Sequence, residues 1–172
     1  MMFLMPLLNF GQSYLGITTK QVNFRSDPNS QSNIISTLNI GRQLFIISLE
    51  TENDFYNVID IETDKEGYVH KSFVRIGENV TKSNQVFFTP TGKTSNYNSE
   101  LKIYNNTNKT LTLKLNEQYY FFTPKETKNI NVSPGTYDFR ASAPGVRPNI
   151  GTENLANNQG YSWEFYIFRS YN

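Results

Sequence analysis

The stretch VNFRSDPNSQSNIISTLNIGRQLFIISLETENDFYNVIDIETDKEGYVHKSFV, residues 22–74, reads as a small β-barrel assembled from short strands and tight turns. Val22 and Phe24 alternate with Asn23 and Arg25, which gives a first strand one apolar and one polar face, and Ser26-Asp27-Pro28-Asn29 then breaks it. After a polar loop, Ile34-Ile35-Ser36-Thr37-Leu38 leads into a turn at Gly41. Residues 44–49 and 55–61 are two further β-rich runs, and Gly67-Tyr68-Val69-His70 opens a short last one. Five short strands in roughly sixty residues is the spacing of a small barrel.

Four segments carry a resemblance: VNFRSDPNS at 22–30, Gly41 ahead of Leu44-Phe45-Ile46-Ile47, Phe55-Tyr56-Asn57-Val58, and GYVHKSFV at 67–74. In order and character they are similar to the "LNVRSGPS", glycine-before-strand, "WYKV" and "GWVHSSYL" segments of the bacterial SH3 (SH3b) family. The stretch departs from that pattern at Asp27, where the family prefers Gly, and at Phe55, where it often has Trp. The resemblance implies an SH3-like barrel that binds without catalysis, with cell-wall peptide, peptidoglycan or an extended protein segment as ligand. On that basis the candidate ligand-binding residues are Asn23, Arg25 and Asp27 in and beside the first loop, Phe55 and Tyr56, and Tyr68 and His70. Each has a structural alternative: Arg25 pairing with an acid, Tyr68 in the core, Phe55 covering the barrel end.

With 172 residues the chain is longer than one such barrel, so a second domain is required. Its 16 basic and 15 acidic residues leave it nearly neutral, which points away from nucleic acid and from a polybasic membrane surface. The absence of cysteine excludes disulfides, thiolate metal sites, cysteine nucleophiles and a lipidated cysteine. Thirteen Phe, eleven Tyr and one Trp suit half-buried sheets. The apolar run 1–8 followed by Gly11 looks like the end of a signal peptide, but it is short and has no basic n-region. Either translation starts upstream of Met1 or the run is a first strand. The adopted expectation is a leader over 1–16, with the barrel at 17–77. A membrane span is not expected, since spanning takes about 20 apolar residues.

Residues 78–98 read as a linker with one apolar island, Val86-Phe87-Phe88, and Pro90-Thr91-Gly92-Lys93-Thr94 as a turn within it. From residue 99 onward the pattern is again β. Leu101 and Ile103 share one face, Leu111, Leu113 and Leu115 another, and Asn105-Asn106-Thr107-Asn108 would join these strands as a hairpin. Residues 119–122, 127–132, 136–141 and 161–168 complete six strands. The phrase NINVSPGTYDFRASAPG, 129–145, gives this half a resemblance to PEGA-type and carboxypeptidase-regulatory-like sandwich modules. Trp163, alternating with Tyr161 and Phe165, is expected in the core. The expected fold class is thus all-β: an SH3-like small barrel followed by an antiparallel β-sandwich at 99–172.

Chemistry finds little to work with. The single histidine, His70, has Ser72 nearby in sequence but no nucleophile elbow around it. Asp60, Glu62 and Asp64 alternate as a hard cation site would, or as a solvated acidic edge, and the second is the expectation. No catalytic residue, cofactor or metal site is expected. The resulting picture is an exported protein, periplasmic, cell-surface or secreted, whose partner is cell-wall peptide, peptidoglycan or an envelope protein. The alternatives are a structural or accessory subunit of an envelope complex that uses barrel and sandwich as docking surfaces, and an enzyme with a dispersed acid pair.

Overall fold

The computed structural model describes residues 12–167, and every regular element among them is a strand apart from one 3-10 turn. The chain is therefore all-β, with predominantly antiparallel sheets. The described residues divide into two compact units, one made of those up to Asp60 with Lys65–Thr81, the other of Ile61–Asp64 with those from Lys82 onward.

The first unit is a seven-stranded antiparallel sheet. Its strands are β1 (Ser13–Thr18), β2 (Val22–Arg25), β3 (Ile34–Leu38), β4 (Gln43–Glu52), β5 (Phe55–Asp60), β6 (Lys65–His70) and β7 (Val74–Val80), in the order β3-β2-β6-β5-β4-β1-β7. Alternation does the sorting: Val22 and Phe24 point into a core with Leu38, Leu44, Ile46, Val58 and Val69, while Asn23 and Arg25 stay half-exposed. Each such side chain contributes about 1.5–3 kcal/mol on burial. Strand β2 reaches β6 through the pair Arg25↔Tyr68, and the approach is close. A Cβ on Gly67 would stand 2.6 Å from the Arg25 carbonyl oxygen and 2.7 Å from Cε2 of Phe24, so glycine there is a steric requirement.

Two strands of this unit differ from the sequence expectation. β1 pairs with β4 (Tyr14↔Ile46, Gly16↔Leu44) and with β7, so residues 13–16, assigned to the leader, are strand; Gln12 of that assignment precedes the strand, and residues 1–11 lie outside the described residues. β7 runs through to Val80, past the expected barrel end at 77. The expected acidic edge is also corrected at Asp60. Its carboxylate is 0 % exposed and takes a bidentate pair from Arg42, Nε to Oδ1 at 2.6 Å and Nη2 to Oδ2 at 2.8 Å.

The second unit is a sandwich of two four-stranded sheets. Its strands are β8 (Thr89–Lys93), β9 (Ser99–Asn105), β10 (Leu111–Leu115), β11 (Gln118–Phe122), β12 (Thr127–Val132), β13 (Gly135–Ala143), β14 (Val146–Leu155) and β15 (Gln159–Phe165). They order as β11-β10-β13-β14 and β12-β9-β15-β8, and all pairs are antiparallel except β15 with β9, which is parallel. Leu101, Ile103 and Trp163 from one sheet meet Leu111, Leu113, Leu115 and Phe139 from the other. Within this unit Asp64 accepts a hydrogen bond from Oγ1 of Thr112 at 2.8 Å.

The expected hairpin at residues 105–108, and the strand-turn-strand phrase around Pro134-Gly135, are both crossings between sheets. β9 and β10 lie in different sheets, because buried Asn105 turns the chain: its Nδ2 donates to the carbonyls of Lys109 (2.8 Å) and Thr123 (2.9 Å), and its Oδ1 accepts from the Thr107 N–H (3.2 Å). β12 and β13 are likewise separated, and Gly135, the first residue of β13, has φ 154°. The stretch expected as linker supplies β8, so the Gly92-Lys93 step is in a strand rather than a turn. Phe88 from the apolar island is 1 % exposed in the core. Phe168, placed at the end of the last expected strand, lies outside the described residues.

Candidate ligand-binding groove

A groove of about 340 Å³ opens on the barrel between β2, β3, the β5 start and the β6 end. Asn23, Arg25, Phe55 and His70, four of the seven candidates read from sequence, line it together. Gln21, Val22, Ser30, Thr37 and Phe73 complete the lining.

Strand parity explains the convergence. Asn23 and Arg25 are successive outward positions of β2, and His70 is the outward terminal residue of β6, paired with Phe55 across the β5–β6 ladder. Phe55 is 7 % exposed, and the His70 ring meets it edge-on, centroids 5.1 Å apart at 86°. Phe73 closes the other side of the imidazole at 5.7 Å.

His70 is held by its own backbone context. It caps the 3-10 turn Lys71–Phe73, its Nδ1 accepting from the Ser72 N–H at 3.3 Å with the Ser72 hydroxyl at 2.8 Å. A backbone N–H can only donate, so Nδ1 is the acceptor and the neutral ring carries its proton on Nε2. The His70–Ser72 contact is thereby a cap of the turn. Beside it, Lys71 Nζ lies 2.7 Å from Asp54 Oδ1; that hydrogen bond holds the Asp54 carboxyl below, and the Lys71 amine above, their ordinary ranges.

Arg25 does not pair with an acid: its Nη1 donates to the Ser32 carbonyl at 2.6 Å, tying the guanidinium to the loop after β2. Asn23 Oδ1 accepts from the Thr37 hydroxyl at 3.5 Å, across the β2–β3 pair.

The other three candidates sit elsewhere. Asp27 is exposed and organises the loop, its carboxylate accepting from the Ser26 hydroxyl (2.6 Å) and its carbonyl from the Asn29 N–H (2.8 Å). Its φ is not positive, so the loop does not require the glycine that the family pattern prefers there. Tyr56 is half-buried against the barrel core, and Tyr68 stands half-buried opposite Arg25 and Asn57 without lining the groove. Gln21, Val22, Ser30, Thr37 and Phe73 line the groove without being among the candidates. Phe73 ends the 3-10 turn that His70 caps, which places its ring 5.7 Å from the imidazole.

The sandwich holds a larger cavity of about 700 Å³, lined among others by Gln85, Phe87, Trp163, Glu164 and Tyr166. Its Trp163 and Phe165 are 6 % and 8 % exposed and belong to the core, and Glu164 Oε1 is engaged by Asn106 Nδ2 at 2.7 Å. The described residues contain no cluster of three His, Cys, Asp or Glu able to hold a metal ion, and none of their helices is long and apolar enough to cross a membrane.

No curated protein and no solved structure was found to match the chain. A family model does match: residues 20–75, the segment that contains every residue lining the groove, fit the one described as bacterial SH3 domain.

Proposed function

We propose that the protein is a non-catalytic, exported binding module of the bacterial envelope, whose barrel groove takes an extended cell-wall peptide. Bacterial SH3 domains are in general binding modules. The observation that supports the finer reading is the convergence of Asn23, Arg25, Phe55 and His70 on one concavity that is polar at its rim and aromatic at its wall. Concave sites with a few directed polar groups on an apolar wall fit extended ligands, whereas a protein-docking surface would offer a flatter apolar patch. The groove therefore favours the peptide reading over the accessory-subunit reading.

The test is retention of the full chain on insoluble peptidoglycan sacculi, alongside Arg25→Ala, Phe55→Ala and Asn23→Ala. Loss of either wall or rim contact is expected to weaken retention about tenfold or more. Phe55→Ala also removes a nearly buried ring, at about 3–5 kcal/mol of stability, so its fold is checked separately. Asn23 is half-exposed, and its truncation leaves the core untouched. No retention of the unaltered chain at low salt sinks the wall reading and moves the search to protein partners.

A further inference from the structure

The lining of the barrel groove is one-sided in charge. Arg25 is a permanent cation with five N–H donors, and no residue lining the groove carries a carboxylate. The bond from Nη1 to the Ser32 carbonyl fixes the guanidinium in place and occupies one donor of the fork. His70 adds a second donor, because its Nδ1 is committed to the Ser72 N–H and its Nε2 carries the proton. Asn23 adds a third: its Oδ1 takes the Thr37 hydroxyl, which turns the amide NH2 to donor duty.

We propose that this groove recognises a peptide carboxylate, held by the donors of Arg25 and His70, with the adjoining aliphatic carbons against Phe55 and Phe73. The proposal rests on the reading of the groove as a wall-peptide site and names the group it reads there. A neutral sugar or amide would cover the Arg25 charge without neutralising it, and that desolvation is costly. A carboxylate offsets the charge and matches the planar guanidinium with two oxygens.

The experiment compares the full chain on two preparations of sacculi stripped of phosphate-bearing polymers, one native and one with its peptide carboxylates converted to amides by carbodiimide and ammonia. Alteration is confined to the ligand, so folding of a variant does not enter. Retention on native sacculi that falls about tenfold or more on the amidated ones supports the proposal. Equal retention on both overturns it and leaves wall binding standing. Failure on both overturns the wall reading, and the carboxylate inference is then decided by amide chemical shifts on titration with N-acetyl-alanyl-alanine as free acid and as C-terminal amide. Shifts at Asn23, Arg25 and His70 with the acid alone support it; none with the acid, or equal shifts with both, overturn it. Arg25→Lys, which keeps the charge and loses the fork, is expected to retain partial discrimination between the two preparations.

Discussion

Asp60 is the residue at which charge and burial are most opposed. A carboxylate with no exposed surface is tolerated because Arg42 meets both its oxygens, and the bidentate geometry offsets the loss of hydration. Hydrogen bonding to Asp60 raises the Arg42 pKa, which means that the folded chain favours the charged guanidinium. This contribution is complete at every pH below the ordinary guanidinium value, and it is lost only as alkali carries the pH up through the folded one. Removing one partner takes the bidentate match from the other: Asp60→Ala is expected to cost about 3–5 kcal/mol in urea unfolding. Arg42→Met combined with Asp60→Leu should cost less than Asp60→Ala alone, and a double variant that is worse would show that the pair is a net source of stability. The sequence pattern Asp60-x-Glu62-x-Asp64 gave no hint of this, because the partner lies 18 residues away on the far side of a strand. Parity along a strand is enough to bring Asn23, Arg25 and His70 to one groove, whereas Asp27 lies in a loop, which has no period to read.

At the scale of elements, glycine separates two kinds of constraint. Gly67 has ordinary backbone angles but no room for a Cβ, since β2 crosses β6 within 2.6 Å of where that atom would be, and the blocking atom is a carbonyl oxygen that cannot move aside. Gly41 has open space but φ 79°. Gly67→Ala should therefore cost about 1–3 kcal/mol through overpacking at the crossing, against about 1–2 kcal/mol for the backbone strain of Gly41→Ala. Thermal melts of the two variants check the order. Because Gly67 holds β2 against β6, its substitution should also weaken retention on sacculi, while Gly41→Ala should not. The strands themselves were legible as alternation bounded by turn residues, and β2 to β6 needed nothing more. Pairing was not. Asn105 and Pro134-Gly135 looked like hairpin turns, yet each carries the chain to the opposite sheet, because a turn signal says that a strand ends and not which neighbour the next one finds. β14 escaped notice because Pro148 and Gly151 interrupt its pattern; Gly151 is there to admit the Phe139 ring, which comes within 2.4 Å of where a Cβ would be.

For the whole molecule, the decisive fact is that the two clusters of buried side chains share no residue. The barrel core runs from Val22 to Val69, and the sandwich core begins with Phe88. A chain with two cores need not unfold in one step, and a single midpoint is then not a property of the whole. The sequence supplies a reporter for one unit only: Trp163 is the sole tryptophan, and it is buried among Phe87, Phe88, Phe139 and Phe165 in the sandwich. Asp60→Ala, placed in the barrel, should lower the urea midpoint followed at barrel amides by on the order of 2 M, given a slope near 1–2 kcal/mol/M for a unit of this size. The midpoint followed by Trp163 fluorescence should stay where it is in the unaltered chain. Equal displacement of both signals would mean that the barrel and the sandwich unfold as one cooperative unit, and stability changes made anywhere in the chain would then register in groove occupancy. Separate transitions would let the groove be weakened or sharpened without touching the fold that follows it.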